Sequence, residues 1–179
     1  MKTPEQVIIP LSKTRILWLF LLSLLFVVLG LWFLLSPPDI KHPILGNSQL
    51  IFLTGLSSAF FFSIMAVMYL KKLFQRSPGI IINSEGITDN SSGVAAGFIK
   101  WDDLEKISVM ELRKQKLLML YVHNPQYYIS RQRNAIKRKI MQINHKSFAT
   151  PISISTNGLH CKFDELYDLV DQYMSHRQI

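Results

Sequence analysis

Cysteine is almost absent. Cys161 is the only one in 179 residues, so no intramolecular disulfide can staple the chain, and a reducing compartment suits it. Acidic residues are scarce too: twelve Asp and Glu stand against twenty Lys and Arg, a formal charge of +8. Charged residues and histidine are missing altogether from two long stretches. These are residues 16–35, ILWLFLLSLLFVVLGLWFLL, and residues 50–70, LIFLTGLSSAFFFSIMAVMYL.

At about 1.5 Å rise per residue, each run makes a helix of roughly 30 Å, the thickness of a bilayer's hydrocarbon core. A helix apolar on every face has no side for water, and roughly 100 remaining residues are too few to wrap two of them. Two membrane spans are therefore predicted. The first run is longer than the ~7–15 residue core of a signal peptide. It leads into SPPDIKHP, which lacks a small-x-small cleavage pattern, so an uncleaved anchor is expected. No Asp, Glu, Lys, Arg or His lies inside either span, which argues against a proton relay, ion pathway or transporter core.

The linker 36–49 is formally neutral, with Asp39 and Lys41, and Pro37, Pro38, Pro43 and Gly46 stop a helix from running through it. Lys2, Lys13 and Arg15 precede the first span; Lys71, Lys72 and Arg76 follow the second. Basic residues resist translocation, which places both termini in the cytoplasm and the linker outside. Seven basic and two acidic residues at 1–78 account for +5 of the net charge. A pI near 9.7 would suggest nucleic acid for a soluble chain. Here topology accounts for much of it.

Small residues recur on one face of the second span at Gly55, Ala59, Ser63 and Ala66, and on the first at Ser23 and Gly30. Close packing within the hairpin is the expectation, with homo-oligomerisation through the same faces as the alternative. The domain boundary is expected after residue 76, with a hairpin at 1–76 and a cytoplasmic domain at 77–179.

Within that domain GIIINSEGITDN spells strand, turn, strand, and NSSGVAAG a flexible loop. FIKW is a short strand, followed at Asp102 and Asp103 by a helical turn in which the acids cap and stay solvated. Alternation at Ile107, Val109 and Glu111, then at Leu117, Met119 and Tyr121, predicts two strands around a turn near 114–116. PQYYIS is helical, TPISIST a strand, and FDELYDLVDQYMSH an amphipathic closing helix with Phe163, Leu166, Leu169, Val170 and Tyr173 on its apolar side. Trp101 and Tyr128 are expected in the core.

GIIINSEGITDN, GFIKWDDLEKI, YVHNPQYYI, TPISIST and FDELYDLVDQY together resemble a largely uncharacterised bacterial family with two transmembrane helices followed by a pleckstrin-homology-like domain. The resemblance implies an α+β membrane protein: a two-helix hairpin plus an antiparallel sheet capped by a C-terminal helix, held at the inner membrane. It brings no catalytic motif. The helical, basic 125–146 segment departs from a simple succession of strands.

Signals for chemistry are weak. GITDNSSGVAAG lacks the spacing of a phosphate-cradling loop, no G-x-S-x-G elbow gathers the Ser, His and Asp residues, and His160, Cys161 and Asp164 fall short of zinc-ligand spacing. No cofactor or metal is expected.

The conspicuous feature is SRQRNAIKRKIMQINHK at 130–146, with six Lys and Arg and no acid. Ile136, Ile140 and Ile143 fall at helical spacing and predict a buried stripe facing the sheet. Arg133, Lys137 and Arg138 would then lie on the other faces, with Arg131 and Lys146 at the ends, as a charged outer side. Solvation alone accounts for such a face. Apposition to an anionic leaflet, aided by Lys71, Lys72 and Arg76, is the specific alternative. Nucleic acid lacks any reading motif here.

The expected function is non-catalytic: an inner-membrane protein presenting an interaction domain to protein or lipid. Protection against a membrane-active toxin is one specialisation open to such a binder. A membrane-tethered hydrolase or lipid-modifying enzyme is the alternative from another class.

Overall fold

The structure, a computed structural model, describes residues 6–38, 47–112 and 114–175. Lys2, Asp39, Lys41, Pro43 and Gly46, which entered the topology argument, lie outside these residues. The chain divides into two compact units, a helical hairpin over Lys13–Arg76 and a β-rich unit formed by the residues on either side of it.

In the hairpin, α1 (Lys13–Leu35) packs on α2 (Ser48–Phe74). Both are long and apolar enough to cross a membrane, and only 17% of either apolar window is covered by protein. Asn47 caps α2, its side chain accepting from the Gln49 and Leu50 amides at 2.9 and 3.4 Å. At the other end Lys13 Nζ donates to the carbonyls of Lys72, Leu73 and Gln75 at 3.3, 2.6 and 2.6 Å. A cation there satisfies carbonyls that no later turn can reach, and it opposes the negative end of the helix dipole.

The helices approach most closely at two glycines. A Cβ on Gly30 would sit 2.7 Å from the Ala59 nitrogen, and one on Gly55 would sit 2.9 Å from the Gly30 carbonyl oxygen. Ser23, Gly30, Gly55 and Ala66 are buried, Ala59 is half-buried and Ser63 is exposed. Near Ser63 the seam is filled instead by Phe62, whose ring stacks on Phe26 at 4.4 Å.

The β-rich unit holds two antiparallel sheets. The first runs in the order β1 (Gln6–Ile9), β2 (Ile80–Asn83), β3 (Gly86–Asp89), β4 (Gly97–Lys100). The second runs β5 (Leu104–Leu112), β6 (Gln115–Val122), β7 (Ile152–Ser155). Between β6 and β7 lie two helices, α3 (Pro125–Ser130) and α4 (Ala135–Phe148), and α5 (Phe163–Ser175) closes the described chain. Ile80, Ile82, Ile87 and Ile99 from the first sheet, Leu118, Leu120, Ile152 and Ile154 from the second, and Leu166 and Val170 of α5 are all buried. Each such side chain contributes roughly 1.5–3 kcal/mol on leaving water. Trp101 stacks on Tyr173 at 5.9 Å, and its indole donates to the Asn83 carbonyl at 2.8 Å. The same Asn83 turns the chain into β3, its side chain accepting from the Glu85 and Gly86 amides, each at 3.0 Å.

Residues 6–12, expected within the hairpin at 1–76, belong instead to the β-rich unit. Ile9 pairs with Ile80 and Gln6 with Asn83. Leu11 bridges Leu159, the Ser12 amide donates to the Gly158 carbonyl at 2.9 Å, and the His160 amide donates to the Pro10 carbonyl at 2.9 Å. The strand unit therefore begins before the hairpin, and the hairpin is an insertion between β1 and β2. The physical reason is the free edge of β2, whose backbone groups need partners. The apolar QVII segment supplies them.

Candidate functional site

The basic segment is built by two caps in succession. Asn124 accepts from the Tyr127 amide at 3.1 Å and starts α3 with Pro125 in its first turn. Asn134 accepts from the Ile136 and Lys137 amides at 2.9 and 3.2 Å and starts α4. Ala149 ends α4 in the left-handed region, at φ 60°, a position glycine usually takes.

Between the two helices, Arg131 turns inward. Its guanidinium donates to the Ala96 carbonyl at 2.7 Å and to the Phe98 carbonyl, and it lies 4.3 Å from the centre of the Tyr128 ring. Buried Gln132 reaches the Tyr128 carbonyl at 3.0 Å. These bonds hold down the loop 90–96 that the sequence suggests is flexible. Asp89, 1% exposed, ties the loop from the other side. One of its oxygens accepts from the Ser91 amide and hydroxyl at 2.8 and 2.6 Å, the other from the Ala96 amide at 3.2 Å. Tyr128, fully buried, donates to the Asp103 carboxylate at 2.7 Å. Burial first, and that carboxylate second, raise its phenol above the ordinary range. Asp103 therefore does more than open a solvated turn.

Lys137 is half-buried. Desolvation lowers its pKa, with Arg131 adding repulsion and Asp89 partly opposing both. Of the cations expected on the outer side, Arg133 and Arg138 are exposed, while Arg131 turns toward the domain and Lys137 is half-buried. Lys139, and Lys146 at the end of the segment, are exposed on α4. Lys71 and Lys72 lie near the end of α2 and Arg76 just beyond it, all in the other unit, with Lys71 and Arg76 exposed and Lys72 half-buried.

The buried isoleucine stripe is overturned. Ile136, Ile140 and Ile143 are 72%, 36% and 53% exposed, and Met141 is the one fully buried side chain of α4. At about 100° per residue, Met141 lies about 140° around the helix from Ile136. Periodicity locates an apolar face and leaves open what covers it. Here α4 meets the domain through Met141 and the inward side of Lys137, so the isoleucines face away.

Elsewhere there is little for chemistry to use. His123 and His160 are exposed, Asp164 pairs with Lys116 at 2.9 Å on the surface, and Cys161 is half-buried. Among the described residues no group of three or more His, Cys, Asp or Glu can hold a metal ion. The hollows along α2, at Leu50, Thr54, Ser57 and Phe61, are open apolar grooves. No family model, curated protein or solved structure matches the chain.

Proposed function

We propose that this chain is a non-catalytic integral membrane protein that presents a pleckstrin-homology-like interaction domain at the cytoplasmic face of a bacterial inner membrane, for binding protein or lipid. The observation that carries the proposal is the surface of α1 and α2. Trp18, Leu25, Val28, Trp32, Phe52 and Phe60 all stand exposed on helices of 23 and 27 residues. Water would make that surface an aggregation site, whereas hydrocarbon is its natural solvent. Two antiparallel sheets and a C-terminal helix packed into their core support the domain assignment. Only residues 10–12 link β1 to α1 and only residues 75–79 link α2 to β2. At about 3.5 Å per extended residue, neither connection lets the domain travel far from the membrane.

Membranes from expressing cells, washed with alkaline carbonate and then with urea, test the anchor. The full-length chain should stay with the bilayer pellet through both washes. Release into the supernatant would overturn the reading.

A further inference from the structure

The three exposed isoleucines of α4 raise a question that the charges alone do not. A helix whose one fully buried side chain is Met141 has turned its most apolar side to the outside. Ser147 falls in the middle of this side, about 20° from Ile136, while Lys139 and Lys146 lie along one edge of it, about 60–80° from Ile136. All three are exposed. An apolar strip with lysines along its edge fits a helix that lies in the plane of a membrane interface.

We propose that α4 is such an interfacial helix. Ile136, Ile140 and Ile143 enter the boundary between headgroups and acyl chains of an anionic leaflet, and Lys139, Lys146 and Arg133 meet lipid phosphates beside them. This rests on the membrane-anchor reading above and names the ligand of that same domain as anionic lipid. Charge selects the occupant. From residue 112 to residue 163 there is no Asp or Glu, against ten Lys and Arg. A second copy docking through the same face would bring these cations together, because a two-fold contact places each patch against itself. An anionic bilayer has the opposite sign and takes isoleucine at the depth where lysine can still reach phosphate. Lys137 and Arg131 have no part in this. Arg131 is spent on the Ala96 and Phe98 carbonyls, Lys137 is half-buried, and exposed Arg138 lies about 160° around the helix from Ile136, so Lys139 and Lys146 are the outward cations of α4 nearest the isoleucines.

The test uses full-length protein in vesicles of phosphatidylcholine alone and with one third phosphatidylglycerol. Cys161→Ser removes the native thiol, and a nitroxide is attached at Ser147→Cys, at Gln142→Cys about 140° around the helix from it, or at Phe60→Cys in α2. In anionic vesicles the Ser147 label should be accessible to oxygen, shielded from a water-soluble nickel reagent, and about 5–10 Å below the headgroup surface. The Gln142 label should show the reverse. Changing all three isoleucines to serine should return the Ser147 label to water, and neutral vesicles or high salt should weaken its insertion.

A Ser147 label that stays in water in anionic vesicles overturns the proposal. So does one shielded from both oxygen and nickel, which indicates a protein contact. Equal insertion in neutral and anionic vesicles overturns the role given to the cations. The Phe60 label separates the two levels: oxygen accessibility there keeps the anchor whatever α4 does, and nickel accessibility there removes the anchor itself.

Discussion

Arg131 offers the sharpest energetic test, because by sequence it belongs to a charged outer face and by structure it is a tie. Changing it to alanine removes two charge-assisted bonds to the Ala96 and Phe98 carbonyls and the contact with the Tyr128 ring. Hydrogen bonds to charged groups contribute about 1.5–3 kcal/mol each, and the lower end suits a half-exposed arginine. The ring contact adds about 0.5–1 kcal/mol. Together these predict a loss of about 3–4 kcal/mol, a large share of the ~5–15 kcal/mol that holds a typical domain. Arg131→Lys keeps the charge and loses the fork, so about half of that loss should remain. Arg133, exposed two residues later, is the control, and its alanine variant should change stability by less than about 0.5 kcal/mol. Urea unfolding of the protein held in a nanodisc of neutral phosphatidylcholine, where Arg133 has no anionic lipid to meet, gives the energies. Hydrogen exchange of residues 90–100 reports where the structure loosens, and Arg131→Ala should accelerate exchange there first. If Arg131→Ala and Arg133→Ala unfold at the same urea concentration, the tie is refuted, and Arg131 returns to the surface role the sequence suggested.

Other perturbations probe the hairpin, the alkaline limb and a cap. Gly30→Leu places atoms against the Ala59 and Gly55 backbone and should cost about 1–3 kcal/mol; detergent-induced unfolding no easier than for Val28→Leu on the exposed side would contradict this. Because folding raises the Tyr128 pKa above its ordinary value of 10.0, its contribution is complete below that pH and is lost as pH climbs through the folded value. Tyr128→Phe should cost about 1–2 kcal/mol at neutral pH and flatten the fall in stability above pH 10, and an unchanged alkaline slope in urea midpoints would rule it out. Ala149→Gly relieves a left-handed alanine and should stabilise by up to about 1 kcal/mol, net of the extra freedom glycine gives the unfolded chain. A lower melting temperature would show that this alanine carries no strain.

The two long apolar helices were legible because an absence of charge over twenty residues admits few explanations. The strands from β2 to β7 were legible through alternation and through Asn83, whose side chain makes the turn it favours. β1 was hidden for a simple reason. QVII is four residues long and lies close to a span, so local pattern cannot separate a strand from a prelude to the helix. Its partner, β2, is more than seventy residues away along the chain, across the hairpin. The inward turn of Arg131 depends on carbonyls more than thirty residues earlier, which no spacing rule announces. For α4 the signal was present and its sign was misjudged. Isoleucines at helical spacing predict an apolar face, and the usual inference that such a face is buried failed because Met141 took that place. Lys139 and Lys146 beside the isoleucines, with no acid among them, were the clue that this face looks toward something other than the sheet.

Accessibility of single thiols in intact cells tests the central claim, a membrane hairpin holding its domain on the cytoplasmic side. In a Cys161→Ser background, Ser36→Cys reports the end of α1 and Gln126→Cys reports the domain; both positions are exposed. A membrane-impermeant maleimide should label Ser36→Cys in intact cells and Gln126→Cys only after the membrane is opened. Labelling of the domain position in intact cells, or of neither position until lysis, would contradict the account.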